Sequence, residues 1–383
     1  MAKNKKRKVR VDFRKNRTQP PRRSDWTRRF ADSDPRAEEA AGTERISGKG
    51  DLTRRRTVRG EVLASAEQAG FAVDLEVDTS VCRRGRVLSV HGLTCLVEDD
   101  TGQPYHCAVR RLLKTLATDQ RHVVVTGDRV WFRPVPTAGA AAEGIVERVE
   151  PRYGTLCRQI RGRQQVMVAN IDQLLIVASA AQPRLKPNLI DRLLVAAEKG
   201  GVQPVICINK IDLVAPASLQ PLAGVYAQMG YPVLLLSAAT GAGLSCLRRR
   251  FAAGQSVVAG QSGVGKSSLL NAVDPGLQLT VREVSEETEK GRHTTTTARL
   301  LRLAQGGHVV DTPGIRQFRL WDVVAEEVCG YFRDLRPFVS RCRFPDCTHT
   351  HEESCAIKDA VADGRLDQRR YESYCHMLLG EED

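Results

Sequence analysis

The chain has 383 residues, a net charge of +13 and 42% apolar residues with few aromatics, enough for two or three domains and typical of a soluble globular protein. No apolar run approaches a membrane span and the N-terminus has no apolar signal core, so the reading expects neither a membrane protein nor a secreted one. Eleven cysteines, scattered apart from one C-terminal cluster, read as reduced cytosolic thiols plus one metal site.

The charge is uneven. Residues 1–60 hold 20 Lys and Arg against 8 Asp and Glu, while the other 323 are nearly balanced at 38 against 37. Segment 1–60 is polar, arginine-rich and without sustained apolar periodicity. It reads as a disordered basic tail suited to phosphate contacts with nucleic acid through counterion release. Residues 61–81 follow as a linker with a short helical stretch.

Across 82–150 the pattern becomes five short alternating runs: Arg86–Val90, Leu93–Glu98, Tyr105–Val109, Val123–Phe132 and Gly144–Val149. Turn signals at His91-Gly92, Asp99–Gly102 and Gly127-Asp128 separate them. This predicts a small antiparallel barrel of the OB type. Such barrels bind nucleic acid on an open face, with Arg83, Arg84, Arg86, Arg110, Arg111, Lys114 and Arg121 as candidate contacts. A barrel whose charges are merely solvated is the plainer reading.

From 151 to 320 strands and helices alternate. Ile171–Ala178 is a continuous apolar run of the buried parallel kind, and Asn188–Gly200 is a helix stopped by Gly200-Gly201. Pro204–Ile208 ends in Asn209-Lys210-Ile211-Asp212, and Val233–Leu236 ends in Ser237-Ala238. Val257–Ala259 opens into Gly260-Gln261-Ser262-Gly263-Val264-Gly265-Lys266-Ser267, with Ser268 starting an apolar helical run. That is a phosphate loop: backbone N–H groups close on phosphate oxygens, Lys266 reaches the outer phosphates and the Ser267 hydroxyl serves Mg2+. Ala298–Leu303 and His308–Val310 are further strands, the latter ending in Asp311-Thr312-Pro313-Gly314. Every motif sits at the carboxyl end of a strand, where doubly wound parallel sheets bind ligands.

Asn209-Lys210-Ile211-Asp212 resembles the guanine-recognition motif of the GTPases. The Asp212 carboxylate there accepts from N1–H and the exocyclic amine of guanine, donors that adenine lacks. The resemblance implies that Asn209 and Lys210 hold the loops and flank the base, that Ile211 belongs to the same GTP-binding set, and that Ser237 and Ala238 back the base. Asp311 looks like the aspartate that orients the Mg2+ shell, and Gly314 offers an N–H to the γ-phosphate. Gly291–Thr297 between them is the expected first switch, with Thr295 or Thr296 completing the magnesium ligands. Position 315 is Ile where many GTPases carry the water-orienting glutamine, which predicts slow intrinsic hydrolysis. His293 is the catalytic candidate for positioning water beside Lys266, a packing or capping histidine being the alternative.

The motif order is unusual, because the guanine motifs precede the phosphate loop, so the domain reads as circularly permuted. In segment 321–383, Cys342, Cys347, His349 and Cys355 supply three thiols and an imidazole for one structural, tetrahedral Zn2+; His351 competes with His349, which the spacing favours. Helical runs at Val323–Val339 and Ala356–Leu379 flank it. They carry Arg333, Arg336, Arg341, Arg343, Arg365, Arg369 and Arg370, a plausible RNA-facing or merely solvated set.

The expected architecture is multidomain: an N-terminal OB-type β-barrel, a circularly permuted α/β P-loop GTPase domain and a C-terminal zinc-binding helical domain. Over about 82–380 the chain closely resembles the RsgA (YjeQ) family. Gly260–Ser268, Gly291–Thr296, Asp311–Ile315 and the four metal ligands are its most specific marks, and residues 1–60 lie outside them. The resemblance implies a cytoplasmic, monomeric GTPase using Mg2+ with GTP, which acts late in small (30S) ribosomal subunit assembly. It also implies 16S rRNA binding and hydrolysis stimulated by the particle. The alternatives are a permuted GTPase serving another ribosomal particle and an RNA-binding protein with a regulatory nucleotide site.

Overall fold

The structure, a computed structural model, describes residues 8–12, 55–62, 73–110, 113, 123–136, 142–160, 163–252, 254–279, 298–311 and 325–380. Met1–Val62 and Leu63–Asp383 are separate units. In the first, strands β1 (Lys8–Asp12) and β2 (Arg55–Val62) pair antiparallel, with Lys8 opposite Arg59 and Asp12 opposite Arg55. Two short strands thus fall within or across the end of the segment read as a basic tail, most of which lies outside the described residues. Val9, Val11, Thr57 and Val58 are β-branched, but the runs are too brief and too far apart to register as a periodicity.

The second unit begins with β3 (Val73–Leu75). Strands β4 (Arg83–His91), β5 (Thr94–Asp99), β6 (Pro104–Val109), β7 (Arg129–Val135) and β8 (Glu143–Val149) follow. They close in the order β4-β5-β6-β8-β7 and back to β4, antiparallel throughout except for β6 with β8. The expected barrel is there. Its alternate residues turn inward, burying Val87, Val97, Cys107, Phe132 and Val146 completely. One strand starts later than the sequence suggested: the Asp128 carboxylate accepts the Val125 N–H at 2.8 Å, so Val123–Val125 enter a tight turn before β7 rather than extending it.

A hairpin of β9 (Leu156–Ile160) and β10 (Arg163–Val168) leads into the α/β domain. That domain runs β11 (Gln173–Ser179), α1 (Pro187–Gly200), β12 (Gln203–Asn209), α2 (Gln220–Gln228), β13 (Val233–Leu235) and α3 (Leu244–Ala252). It continues with β14 (Gln255–Ala259), α4 (Lys266–Val273), β15 (Arg299–Arg302) and β16 (His308–Asp311). The strand order is β13-β12-β11-β14-β16-β15, parallel except for β15. Residues of β11 alternate between two cores. Leu174, Ile176 and Ala178 meet Ile190, Leu193 and Tyr226 of α1 and α2, whereas Leu175 and Val177 meet Leu247, Phe251 and Leu270 of α3 and α4. A β4–β15 pairing, Ser89 with Arg299, joins barrel and domain into one eleven-stranded sheet.

The C-terminal lobe packs α5 (Ala325–Tyr331), α6 (Arg336–Val339), α7 (Ala356–Ala362) and α8 (Gln368–Leu379) around Phe332, Leu335, Ile357 and Tyr374. Both expected helical runs are broken. Gly364 takes φ +70°, and Asp367 restarts the chain by accepting the Arg369 N–H at 3.0 Å as the cap of α8. Helix α1 serves two partners. Ile190, Leu193, Leu194 and Ala197 face the sheet, while Val195 joins the core of the lobe and Asp191 and Glu198 pair with its Arg370 and Arg333.

Candidate functional site

Ser179, Asn209, Gly260 and Asp311 all fall at the carboxyl edge of the sheet, at or beside the ends of β11, β12, β14 and β16. The phosphate loop turns there on positive φ angles at Gly260, Gly263 and Gly265. At Gly260 a Cβ would lie 2.0 Å from the Val177 carbonyl oxygen, and at Gly265 one would lie 2.4 Å from Asn209 Nδ2. Only glycine permits this closeness. Lys266 Nζ donates to the Gly260 and Gln261 carbonyls at 2.8 and 2.6 Å, so the ammonium already sits over the loop. Lys266 opens α4, and Ser267 and Ser268, both half-buried, occupy its first turn.

The guanine-motif residues are bonded directly to that loop. Asn209, 1% exposed, donates from Nδ2 to the Val264 carbonyl at 2.9 Å and accepts the Ala238 N–H at 3.2 Å through Oδ1. Lys210 adopts φ +62° and donates to the Gly263 carbonyl at 2.8 Å and to the Gln182 carbonyl. The exposed Asp212 carboxylate accepts from Ser237 Oγ at 2.5 Å, and Ser237 Oγ accepts the Thr240 N–H at 3.1 Å. One hydrogen-bonded unit thus holds Asn209, Lys210, Asp212, Ser237, Ala238, Gly263 and Val264. Ile211 lies beside it, half-buried against the core of α1 and α2. Gln182 was not found from sequence: its contribution is a backbone carbonyl, which leaves no side-chain signal. The first switch Gly291–Thr297, with His293, Thr295 and Thr296, and also Gly314 lie outside the described residues; of Asp311 the backbone is described.

Cys342, Cys347, His349 and Cys355 bring their ligand atoms within 4.8 Å of one another. Cys342 Sγ is 3.4 Å from His349 Nδ1 and 3.9 Å from Cys355 Sγ, which is 3.5 Å from the same nitrogen. A tetrahedral Zn2+ with ordinary bond lengths separates two sulfurs by about 3.8 Å, and sulfur from nitrogen by about 3.6 Å. The donor set therefore fits a tetrahedral metal of that kind. His349 is turned inward at φ +61°. The Tyr371 hydroxyl donates to its carbonyl at 2.8 Å, and Glu352 accepts the N–H groups of Thr348 and Thr350 on either side of it. His351, with 81% of its side chain exposed, stays outside the cluster. Elsewhere burial pushes the Cys95 and Cys207 thiols up to about 12, which makes them inert core residues.

The basic residues sort into two groups. Arg84, exposed on β4, stacks over the Trp131 ring at 4.8 Å with Arg148 at 5.6 Å on the same ring, whereas Arg83 pairs with Asp99 at 3.3 Å and donates to the Tyr105 hydroxyl at 2.8 Å. Arg341 and Arg343 are also exposed. Other expected contacts are engaged within the protein. Arg86 is half-buried and bonds His308 Nδ1 at 2.9 Å, while Arg110 pairs with Glu147 at 2.9 Å. Arg333 and Arg336 reach Glu198 at 2.7 and 3.6 Å, Arg365 and Arg369 pair with Asp363 and Asp367, and Arg370 is buried between Asp191 and Asp334. For Arg110, Arg333, Arg336 and Arg370 the acidic partners are distant in sequence, so composition counts these residues as surface charge. Arg111, Lys114 and Arg121 lie outside the described residues.

A phosphate loop locked to an Asn-Lys-x-Asp loop, with strands in swapped chain order, defines a circularly permuted GTPase of the P-loop class. Residues 149–321 match the RsgA GTPase family model. The small ribosomal subunit biogenesis GTPase RsgA of Sodalis glossinidius is 41% identical over 298 residues, which cover 76% of this chain and 84% of that protein. Its namesake from Ectopseudomonas mendocina is 43% identical over 288 residues, 74% and 80% of the two chains. Among solved structures, YjeQ from Thermotoga maritima superposes with a TM-score of 0.63 at 36% identity, over 78% of this chain and 98% of that one. YloQ, a circularly permuted GTPase, gives 0.60 at 30% identity over 79% and 97%. The chain belongs to the RsgA GTPase family.

Proposed function

We propose that this chain hydrolyses GTP while assembling the small ribosomal subunit, that it binds 16S rRNA, and that the particle stimulates its turnover. The observation that carries the reading is the bonding of Asn209 and Lys210 to the carbonyls of Val264 and Gly263, which makes a base-reading loop and a phosphate cradle one pocket. In this reading Asp212 reads guanine, Lys266 and the N–H groups of Gly260–Ser268 hold the phosphates, and Ser267, Asp311 and Thr295 or Thr296 hold Mg2+. Mg2+ held there would supply charge neutralisation for the phosphates of the nucleotide. His293 orients water and Gly314 meets the γ-phosphate.

The cysteine–histidine cluster holds Zn2+, which stabilises the lobe without an open position for chemistry. The Arg84–Trp131–Arg148 stack gives the barrel a cationic, aromatic surface of the sort that meets RNA bases and phosphates. The reading makes the protein a monomer working in the cytoplasm; among the described residues no helix is long and apolar enough to cross a membrane.

GTP hydrolysis measured alone, with purified small subunits and with large subunits tests the reading. Stimulation by small subunits alone is expected. Stimulation by large subunits instead favours service to another particle, and hydrolysis insensitive to both leaves an RNA-binding protein with a regulatory nucleotide site.

A further inference from the structure

His349 joins the metal cluster in a backbone conformation that is uncommon for a residue with a Cβ. Its φ is +61°, in the left-handed region that sterics disfavour for all but glycine. Such a conformation persists only where neighbouring groups over-determine it. In it, Nδ1 lies 3.4 Å from Cys342 Sγ and 3.5 Å from Cys355 Sγ.

Glu352 straddles that residue. Its Oε1 accepts the Thr348 N–H and the Thr348 hydroxyl, both at 2.6 Å, and its Oε2 accepts the Thr350 N–H at 3.0 Å. One carboxylate thus grips the backbone immediately before and immediately after His349, through charge-assisted bonds. The carbonyls of the same turn are held by α8: the Tyr374 hydroxyl donates to Thr348 and the Tyr371 hydroxyl to His349, each at 2.8 Å. Glu352 is itself fixed, because its carbonyl accepts Lys358 Nζ at 3.0 Å from α7, the helix that Cys355 caps. The core of the lobe does not include this grip. Phe332, Leu335 and Ile357 pack without it, and Thr348 is exposed, so its freed N–H can turn to water. Losing the carboxylate therefore frees the backbone at His349 without emptying the core.

We infer that Glu352 is a positioning residue for the metal site, holding His349 in the left-handed conformation that presents Nδ1 to the thiols of Cys342, Cys347 and Cys355. This rests on the zinc reading above and deepens it. Without the carboxylate the backbone at His349 relaxes toward an ordinary φ, and the imidazole is presented to the cluster for only part of the time. Three sulfurs then remain as the preformed donors. Partners that orient a ligand without touching the metal act on affinity in this way.

The test uses the full chain carrying Glu352→Ala or Glu352→Gln. Asp367→Ala, which removes the cap of α8 elsewhere in the lobe, is the control for a general loss of stability. Zinc affinity is measured by competition with a chelator, and the ligand set by the absorption spectrum of the cobalt-substituted protein. Amide exchange in Gln368–Leu379 at saturating zinc reads the fold. Glu352→Ala should bind zinc about 10- to 100-fold more weakly. Its cobalt ligand-field bands should change while thiolate absorption stays, and amide protection should hold within about threefold. Glu352→Gln, which keeps one acceptor oxygen, should fall between, and Asp367→Ala should stay within about threefold of the unmodified chain. Full zinc affinity in Glu352→Ala, an unchanged cobalt spectrum, protection lost at saturating zinc, or an equal loss of affinity in Asp367→Ala would overturn the inference. An unmodified chain that binds no zinc would instead overturn the zinc reading on which it rests.

Discussion

Replacing Arg370 by methionine removes a guanidinium while keeping most of its stem, and so isolates the buried charge cluster that joins α8 to α1. Arg370 Nη1 lies 2.5 Å from Asp191 Oδ1, and its Nη2 and Nε reach Asp334 at 2.9 and 3.0 Å. Its side chain is 3% exposed and that of Asp191 0%. The guanidinium also rests over the Phe332 ring at 4.4 Å. Without it, Asp191 keeps only neutral partners such as the Tyr226 hydroxyl at 2.8 Å. Breaking a buried pair in this way costs about 3–5 kcal/mol. The loss falls on the docking of the lobe, so amide protection in Gln368–Leu379, read by native-state hydrogen exchange, should drop between about a hundredfold and a few thousandfold. Burial already holds the Asp191 carboxyl above its ordinary value, with Arg370 opposing the shift. In the variant the opposition is gone, so the folded state keeps a proton at pH values where the unfolded state has lost it. A raised carboxyl favours folding at low pH, hence the deficit should shrink as the pH falls from 7.5 toward 5. A deficit independent of pH, or a loss of protection under about tenfold, would refute the argument.

Three further outcomes can be checked separately. Asp212→Asn should lower GTP affinity by roughly 10²- to 10⁴-fold, because an amide cannot accept from both guanine donors. It should raise affinity for xanthosine triphosphate, whose O2 accepts where guanine donates; nucleotide titration reads both, and unchanged GTP affinity places the base elsewhere. Cys355→Ser removes a thiolate that is 1% exposed in the core of the lobe. It should abolish bound zinc by elemental analysis and loosen α7 and α8 while GTP affinity holds, and full zinc content in the variant contradicts the ligand assignment. His308 is held below the usual histidine range by burial and then by the nearby Arg86 charge. The folded state thus binds fewer protons than the unfolded one between the lowered value and about 6.5, and stability should fall as the pH drops through that window. His308→Gln should flatten this dependence in chemical denaturation, and an unchanged slope would remove His308 from it.

The site was legible because its chemistry is written in contiguous motifs. Gly260–Ser267 and Asn209–Asp212 each specify a local backbone, and two residues of the candidate metal cluster, Cys347 and His349, have a single residue between them. The barrel was legible from alternation, its one error arising where Asp128 bends the backbone at Val125. What remained hidden depends on partners far apart in the chain. Arg86 meets His308 and Arg370 meets Asp191, pairings across more than a hundred residues that no window of sequence contains. The hairpin of β1 and β2 was hidden for the same reason.

The altered chain order has a mechanical meaning that follows from the sheet. β14, which feeds the phosphate loop, lies in parallel register between β11 and β16, with Leu174 opposite Val257 and Val257 opposite Val310. Backbone pairing in a parallel ladder depends on neighbours and register, and not on which strand was threaded first. Cutting the chain elsewhere therefore leaves the pocket intact but changes what hangs from its edges. Here β15, the strand after the threonine run, is paired to β16 and through Arg299 to the barrel, and the chain beyond Asp311 leads to α5 of the C-terminal lobe. That lobe is clamped in turn to α1 through Asp191 and Glu198. The permutation thus leads the chain from the edges of the sheet into two different flanking domains, the barrel and the C-terminal lobe.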